Sequence, residues 1–226
     1  MISSIHRLLI LASVGAAMSA CATVVPPAAV LTMAERVCEA RPDLANANSL
    51  TSDKEQALHN VTVQVGSATP CLQTAEGQTP YVLFAMPADS GDKTLTVGGY
   101  LEPFRILSPS VSILDAQGEV TRRFRADEFL YRNLNYSVLF RPRAGERFVL
   151  VTIDRERVGS AYDAITIGTT TTSSGAVAGS VLGAALVGGG SFTTGHDATV
   201  SRTFSYEGAV RVEVNDSDTR EDAPAA

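Results

Sequence analysis

Hydrophobic and polar residues alternate along most of the chain from residue 60 onward. In "TLTV" the apolar residues Leu95 and Val97 are separated by threonine, and in "VSIL" Val111 and Ile113 are separated by serine. Because successive side chains of a β-strand point to opposite faces of a sheet, this alternation predicts strands with one buried face. Many such segments in one chain are typical of a two-layer antiparallel fold.

Eleven segments carry the strand pattern, and turn-forming sequences such as "ADSGD", "DAQG" and "YEG" lie between them. The predicted strands are residues 61–65, 81–86, 93–101, 104–107, 110–115, 119–124, 135–140, 147–153, 164–168, 198–206 and 209–214. We therefore predict a mainly β fold over residues 45–214. Its expected form is an antiparallel β-sandwich of the immunoglobulin-like or jelly-roll-like kind.

The chain before residue 45 has a different pattern. The first part, after residue 21, is rich in Ala, Val and Pro, which predicts a tether. Thr32 and Glu35 then have the spacing of a helix capping box, and helix-forming residues continue to Arg41. We expect residues 21–44 to form a tether and a short helix that carries Cys38.

The segment "SSGAVAGSVLGAALVGGGS" at residues 173–191 has no charge and no side chain larger than leucine. Gly175, Gly179 and Gly183 recur every four residues, which would place them on one helix face open to close packing. As a helix, its apolar part would be about 22 Å long, short of the roughly 30 Å hydrocarbon core of a bilayer. We expect this insertion to be helical, and either to pack on the sandwich or to form an assembly surface.

The first twenty residues have the layout of a secretory signal peptide, with Arg7, an apolar run to Met18, and then small residues. The tripeptide "MSA" before Cys21 resembles a bacterial lipobox, which predicts cleavage at residue 20 and acylation of Cys21. Cleavage after Ala22 is the alternative and would release a soluble periplasmic protein. Lipoproteins retained in the inner membrane often carry Asp after the cysteine, whereas Ala22 follows Cys21 here. We therefore expect the protein to be anchored at the periplasmic face of the outer membrane.

The processed chain has an acidic net charge and two further cysteines. Without residues 1–20, 17 basic and 24 acidic residues leave a net charge of −7, which argues against nucleic acid. In an oxidising periplasm we expect Cys38 and Cys71 to form a disulfide. Residues 215–226 are acidic and have no apolar period, so we predict a disordered tail there.

Three stretches resemble the maltose-operon periplasmic protein (MalM-like) family. They are "MPADSGDKTLTV" at 86–97, "SPSVSILDAQGEV" at 108–120 and "GERFVLVTID" at 145–154. His196 and "GAVRVEV" at 208–214 are similar to the last segment of that family. The resemblance covers residues 80–214 and implies a periplasm-facing accessory protein linked to carbohydrate uptake, with no established catalytic residues to transfer. The lipobox and the glycine-rich insertion depart from the family pattern.

The sequence contains no catalytic constellation. Its histidines are His6, His59 and His196, and no G-x-S-x-G, H-E-x-x-H or C-x-x-C motif occurs. Asp89 and Asp92 lie in "ADSGD", where we expect them to serve the turn rather than to bind calcium. We predict a protein that is not an enzyme and that holds no metal or cofactor.

An arginine-rich region is the first candidate for binding. Nine arginines and five acidic residues lie between Arg122 and Arg157, so this region is locally near +4. A guanidinium binds carboxylates and phosphates in two-point contacts, which makes Arg122, Arg123 and Arg125 a candidate anion-binding group. Solvated strand faces with local ion pairs are the alternative.

The aromatic residues between 100 and 136 are the second candidate. Tyr100 and Tyr131 are expected to face a sugar if this region binds oligosaccharides, although aromatic residues in strands more often belong to the core or to an edge. From these features we expect an accessory protein that contacts the membrane through its lipid anchor and also binds a porin or another envelope protein. The alternative is a periplasmic carbohydrate-binding module that delivers sugars to a transporter.

Overall fold

A computed structural model describes residues 25–54, 57–132, 134–173 and 191–216 of the chain. The predicted signal peptide 1–20, the lipidation site Cys21 and the glycines Gly175, Gly179 and Gly183 lie outside the described residues. Within the described ranges, no helix is long and apolar enough to cross a lipid bilayer.

Strands make up most of the described chain, and each of the eleven predicted strands is present. Their bounds are β1 (Asn48–Ser49), β2 (Leu58–Val65), β3 (Cys71–Thr74), β4 (Gly77–Pro80), β5 (Val82–Ala85), β6 (Thr94–Tyr100), β7 (Arg105–Leu107), β8 (Pro109–Asp115), β9 (Val120–Arg123), β10 (Leu130–Arg132), β11 (Asn135–Phe140), β12 (Glu146–Ile153), β13 (Ala161–Ser173), β14 (Ser191–Ser205) and β15 (Gly208–Asn215). The sequence pattern does not predict the short strands β1, β3, β4 and β10. The helices described are two single 3₁₀ turns, Leu44–Asn46 and Ala126–Glu128.

Two five-stranded sheets pack face to face. The first sheet has the strand order β1-β5-β12-β8-β9, and the second has the order β10-β11-β6-β15-β2. Neighbouring strands in both sheets are antiparallel except for the β1–β5 pair. The inner faces form one core whose fully buried side chains include Phe84, Leu95, Ile113, Val149 and Val212, each 0% exposed. The predicted antiparallel β-sandwich is therefore confirmed.

The outer face of the first sheet is partly covered by the hairpin β3–β4. Leu72 of this hairpin packs with Leu83, Leu114 and Leu150 of the sheet in a second apolar cluster. Along β8 the alternation predicted from the sequence places small polar side chains on this same outer face, beyond the edge of the cluster. The sheet therefore has an outer face that is apolar at one end and polar at the other.

Residues 25–38 have no regular secondary structure and Glu39 forms a parallel bridge with Leu72, so the short helix predicted from Thr32 to Arg41 is wrong. We call residues 28–39 the strap, because this segment lies across the sandwich. Its hydrogen bonds join Val30 to Ser205 and Tyr206, Arg36 to Gln78, and Glu39 to Cys71 and Gln73. A helix of about ten residues is marginal in water. The long-range bonds satisfy backbone groups of the strap without a helix, so tertiary pairing overrides the local helix signal.

The predicted disulfide between Cys38 and Cys71 is confirmed, with an S–S distance of 2.05 Å. It fixes the strap, rather than a helix, to the first residue of β3, and Cys71 is buried there. Closing a loop with a sequence separation of 33 residues restricts the unfolded chain. In the chain-entropy model this contributes about 3–4 kcal/mol to stability.

Strand β13 pairs with β14 along the whole length of β13, from Ala161 opposite Thr203 to Ser173 opposite Ser191. We call this two-stranded element the ribbon. The sequence predicts a helical insertion that begins at Ser173 and ends at Ser191. These bounds are wrong, because both residues lie in strands and pair with each other. The threonines at 169–172 are β-branched and favour an extended backbone, which explains the longer strand. Residues 174–190 of the predicted insertion lie outside the described residues.

Candidate functional site

The three arginines predicted to bind anions together are separated by the fold. Arg122 and Arg123 are neighbours in β9, so their side chains point to opposite faces of the first sheet. Arg125 lies beyond the end of that strand, at the start of a 3₁₀ turn. The three residues therefore do not form one anion site.

Arg122 lies on the inner side of the first sheet and has a structural role. Its guanidinium is 2.8 Å from the carboxylate of Glu146, which is only 3% exposed. The same guanidinium lies over the rings of Phe124 and Phe140, at 5.1 and 5.0 Å from their centroids. A buried carboxylate needs such a partner, and cation–π contacts of this kind are stabilising. Arg122 is thus occupied by the protein itself.

Arg125 also has a carboxylate partner in the protein, but this ion pair is weaker than that of Arg122. Its guanidinium is 3.0 Å from the carboxylate of Asp127, and both side chains are mostly exposed to solvent. Exposed pairs of this kind contribute little to stability, typically about 0–1 kcal/mol. Asp127 nevertheless neutralises the charge that Arg125 would offer to an external anion.

Arg123 points to the outer face of the first sheet, where it borders a groove of about 180 Å³. It is directly opposite Ser112 in the β8–β9 pair, and Ser110 is opposite Thr152 in the β8–β12 pair. Residues paired in this way share a face, so three hydroxyl groups and one guanidinium face the same space. Within the described part of the chain, none of these four side chains makes a hydrogen bond or an ion pair with the protein.

Arg155 lies at the other side of this groove, just after β12. Its guanidinium donates to the backbone carbonyl oxygen of Glu76 and, at 3.2 Å, to the hydroxyl oxygen of Tyr206. Both acceptors are neutral, and the described residues provide no carboxylate within ion-pair distance of Arg155. The Arg155 charge is therefore oriented by the protein but not neutralised by it.

The groove continues into a larger section of about 460 Å³. The two sections share Glu76, Ser110, Ile153 and Arg155. The larger section is also bordered by two aromatic and two acidic residues, Phe124, Phe129, Asp154 and Glu156. We call the two sections together the groove. Arg123 borders only the smaller section, Asp154 and Glu156 border only the larger one, and Arg155 and Glu76 border both.

The two tyrosines predicted to face a sugar do not share a surface. Arg132, Asn135 and Tyr100 are aligned across β10, β11 and β6, whereas Tyr131 is aligned one position away. Adjacent positions in a strand point to opposite faces, so Tyr100 and Tyr131 lie on opposite faces of the second sheet. Arg211 covers the ring of Tyr100, with its guanidinium 5.5 Å from the centroid. These tyrosines therefore do not make a joint sugar platform.

Tyr131 instead borders an aromatic cluster at the base of the ribbon. Its ring lies 6.5 Å from that of Tyr162, and Tyr162 lies 5.1 Å from Tyr136 and 5.8 Å from Phe204. Arg157 lies over the rings of Tyr136 and Phe204, 5.3 Å from each centroid. Burial raises the pKa of the Tyr136 and Tyr162 hydroxyls, although the charge of Arg157 partly opposes this for Tyr136. The cluster joins the ribbon to the sandwich.

The aspartates of the "ADSGD" turn surround a lysine. The Lys93 ammonium group is 2.8 Å from Asp216, 3.0 Å from Asp89 and 3.6 Å from Asp92. Burial alone would lower the pKa of Lys93, but hydrogen bonds to Asp216 and Asp89 raise it above its ordinary value. Asn215 ends β15 and Asp216 pairs with Lys93, so the tail predicted to be disordered does not begin at residue 215.

Neither the arrangement of possible metal ligands nor the comparison with known proteins identifies a further functional site. Among the described residues, no group of three or more His, Cys, Asp or Glu side chains is arranged to hold a metal ion. No protein-family model matches the chain, and no curated protein matches it. The groove residues Ser110, Ser112, Thr152 and Arg155 were not singled out from the sequence. The one signal for them was the small polar positions that alternate with Val and Ile in β8.

Proposed function

We propose that the protein is a non-enzymatic lipoprotein of the outer membrane that faces the periplasm and attaches to another envelope protein through the ribbon. The sequence supports the location through its signal peptide and the lipobox-like residues before Cys21. The MalM-like resemblance supports an accessory role in the periplasm. The observation that carries the proposal is the pairing of the ribbon.

The two strands of the ribbon form thirteen residue pairs with each other but pair with few residues of any other described strand. At about 3.4 Å per residue, the ribbon is about 40 Å long. Among the described strands, only Thr203–Ser205 of the ribbon pairs with a third strand, β7. An isolated two-stranded ribbon is marginally stable in water, and its open edges can pair with a strand from another chain. A partner strand at this edge would supply the missing hydrogen bonds.

The composition of the ribbon favours a protein partner. No Asp, Glu, Lys or Arg occurs between Asp163 and Asp197, so most of the ribbon lacks the charges with which edge strands normally block unwanted pairing. An envelope protein with an exposed strand edge fits this surface. The low charge also makes an electrostatically recognised partner, such as nucleic acid, a poor fit.

The strap supports a position close to the membrane. Val30 exchanges hydrogen bonds with Ser205 and Tyr206, at the end of β14. The chain from Cys21 to Val30 can span at most about 30 Å. An acylated Cys21 would therefore hold the base of the ribbon within about 30 Å of the lipid surface.

Photocrosslinking in intact cells tests the partner. A crosslinking amino acid at Thr170 in β13 is expected to capture one envelope protein, identified by mass spectrometry, whereas the same probe at Gln117 in an exposed turn captures none. Ile167→Lys places a charge in the ribbon and is expected to abolish the Thr170 crosslink, whereas the matched Leu58→Lys on edge strand β2 leaves it intact. Equal capture from both probes, insensitivity to Ile167→Lys, or capture of a second copy of this chain would contradict the proposal.

Fractionation tests the anchor separately. Cys21→Ser is expected to move the protein from the membrane fraction to the soluble periplasmic fraction, because the acyl chains supply the membrane affinity. Globomycin should block processing of the unaltered chain. A Cys21→Ser protein that stays in the membrane fraction, together with normal processing under globomycin, would exclude lipidation.

The groove favours a second candidate, a periplasmic carbohydrate-binding module that delivers sugars to a transporter. Hydroxyl groups, carboxylates and aromatic rings are the groups that contact sugars, and all three border the groove. Calorimetry with maltodextrins tests this candidate. Saturable binding without a ribbon crosslink would favour it over the attachment role.

A further inference from the structure

We infer that the groove binds an acidic oligosaccharide, with the carboxylate or phosphate of that ligand held between Arg123 and Arg155. This inference gives a ligand class to the carbohydrate-binding candidate and does not depend on the ribbon. It rests on three observations: two guanidiniums without a carboxylate partner, a floor of free hydroxyl groups, and a change of charge along the groove.

The guanidiniums are the first observation. Several other arginines of the described chain have a carboxylate within 4 Å, including Arg105 beside Glu102 and Arg122 beside Glu146. Arg123 and Arg155 have none there, yet both border the smaller section of the groove. Glu76 also borders it, but its side chain is exposed and makes no ion pair with either arginine. Two unneutralised guanidiniums across one groove favour a bound carboxylate or phosphate.

The hydroxyl groups are the second observation. Ser110, Ser112 and Thr152 line the floor between the arginines, and their hydroxyls have no protein partner among the described residues. All three side chains are half-buried rather than fully solvated. A hydroxyl can both donate and accept a hydrogen bond, as can each hydroxyl of a sugar. The floor therefore suits a polyhydroxylated ligand better than an apolar one.

The change of charge is the third observation. The smaller section has Arg123, Arg155 and Glu76 at its border, whereas the larger section keeps Arg155 and Glu76, lacks Arg123 and adds Asp154 and Glu156. Asp154 is 3.4 Å from Arg157, which partly neutralises it, whereas Glu156 is exposed. Carboxylates accept hydrogen bonds from sugar hydroxyls. A ligand that is anionic at one end and neutral and hydroxylated at the other matches this order.

The same order argues against a flat anionic surface. A bilayer of acidic lipids would meet Asp154 and Glu156 as well as the arginines, and the carboxylates would repel it. The arginines also border a concave groove rather than a protruding patch. The larger section, about 460 Å³, falls in the range of small-molecule sites, about 300–1,000 Å³.

Calorimetry on the detergent-solubilised full-length lipoprotein tests the inference with three probes. Tetragalacturonate carries carboxylates, maltotetraose 1-phosphate carries a phosphate, and maltotetraose is neutral. We expect at least one acidic probe to bind about 10-fold or more tightly than maltotetraose, with an affinity that falls as salt is added. The better acidic probe identifies the source of the anion. Absence of binding by both acidic probes would overturn the inference.

Variants locate the binding. Arg123→Gln and Arg155→Gln are each expected to weaken the acidic probe about 10-fold or more, whereas Arg123→Lys weakens it less because the charge remains. Arg141→Gln is the matched control, since Arg141 is exposed and does not border the groove. Ser112→Leu fills the floor without a change of charge and is expected to abolish binding. Melting temperatures close to that of the unaltered protein confirm that each variant is folded.

The outcomes separate this inference from the proposed functions. If maltotetraose binds as tightly as the acidic probes and Arg123→Gln has no effect, the carbohydrate-binding candidate stands and the acidic ligand is excluded. If Arg141→Gln weakens binding as much as Arg123→Gln, the effect is one of net charge and the groove is excluded. The crosslink from the ribbon should be unaffected by Arg123→Gln in every case.

Discussion

Phe204 is the buried ring at the base of the ribbon, and Phe204→Ala measures how firmly the ribbon is attached to the sandwich. The side chain is 2% exposed and makes edge-to-face contacts with Tyr136 and Tyr162, at centroid distances of 5.2 and 5.8 Å. Truncation of a buried Phe to Ala costs about 3–5 kcal/mol, because the loss of transfer free energy and the cavity add. The lost aromatic contacts contribute about 0.5–1.5 kcal/mol per pair beyond burial. We therefore expect a loss near the upper end, about 4–5 kcal/mol.

Urea unfolding followed by circular dichroism measures this loss. The expected result is a lower midpoint with an unchanged m-value, since the surface exposed on unfolding is nearly the same. Phe204→Leu is the matched control, because it keeps much of the apolar volume; its expected cost is about 1–2 kcal/mol. A loss below about 1 kcal/mol for Phe204→Ala, or equal losses for alanine and leucine, would refute the reasoning that ring contacts attach the ribbon.

Three further predictions concern the sandwich. Replacing both Cys38 and Cys71 by serine is expected to lower the free energy of unfolding by about 3–4 kcal/mol relative to the oxidised protein, measured by urea unfolding; the unaltered protein treated with reductant should show the same loss, and no loss in either would contradict it. Glu146→Gln leaves Arg122 without its buried carboxylate and is expected to cost about 2–4 kcal/mol by the same measurement; a cost below 0.5 kcal/mol would contradict the structural role of this pair. Lys93 has a raised pKa in the fold, so its stabilisation is complete below the ordinary lysine pKa and declines as the pH rises through the folded value. The destabilisation caused by Lys93→Met should therefore be smaller at pH 11.5 than at pH 8, and an equal loss at both would contradict it.

The sandwich could be predicted from the sequence because the alternation of apolar and polar residues within each strand indicates which of its faces is buried. Val111 and Ile113 alternate with serines, and the fold buries the apolar pair and leaves the serines half exposed. This alternation is a local property of each strand, because side chains alternate between the two faces of a sheet whichever strand is the neighbour. The strap is the opposite case. Its residues from Thr32 have a helix signal, but their partners are distant in sequence, so no local pattern could indicate the non-helical form.

The groove could be predicted only in part for the same reason. Arg123 was singled out with its neighbours, although the alternation of β9 already separates it from Arg122. Arg155 lies more than thirty residues later, and it borders the same groove as Arg123 because β12 pairs with β8 and β8 pairs with β9. Strand pairing depends on the whole fold, so the sequence indicated an arginine-rich region but not which two of its arginines share a groove.

The strap, the disulfide and the ribbon base together determine how a lipid anchor would transmit force. Among the described residues, a pull on Cys21 reaches Ala28, whose carbonyl oxygen accepts from Arg105, and then Val30. The hydrogen bonds of Val30 to Ser205 and Tyr206 lie beside the cluster that attaches the ribbon. Hydrogen bonds along the strap can open one after another, because each contributes only about 1 kcal/mol. The covalent bond at Cys38 lies behind them, so peeling of the strap would stop there and the load would pass to β3. Without that bond, the same pull would meet non-covalent contacts alone before it reached β1, among them the hydrogen bonds of Glu39 and the Asp43–Tyr81 hydrogen bond.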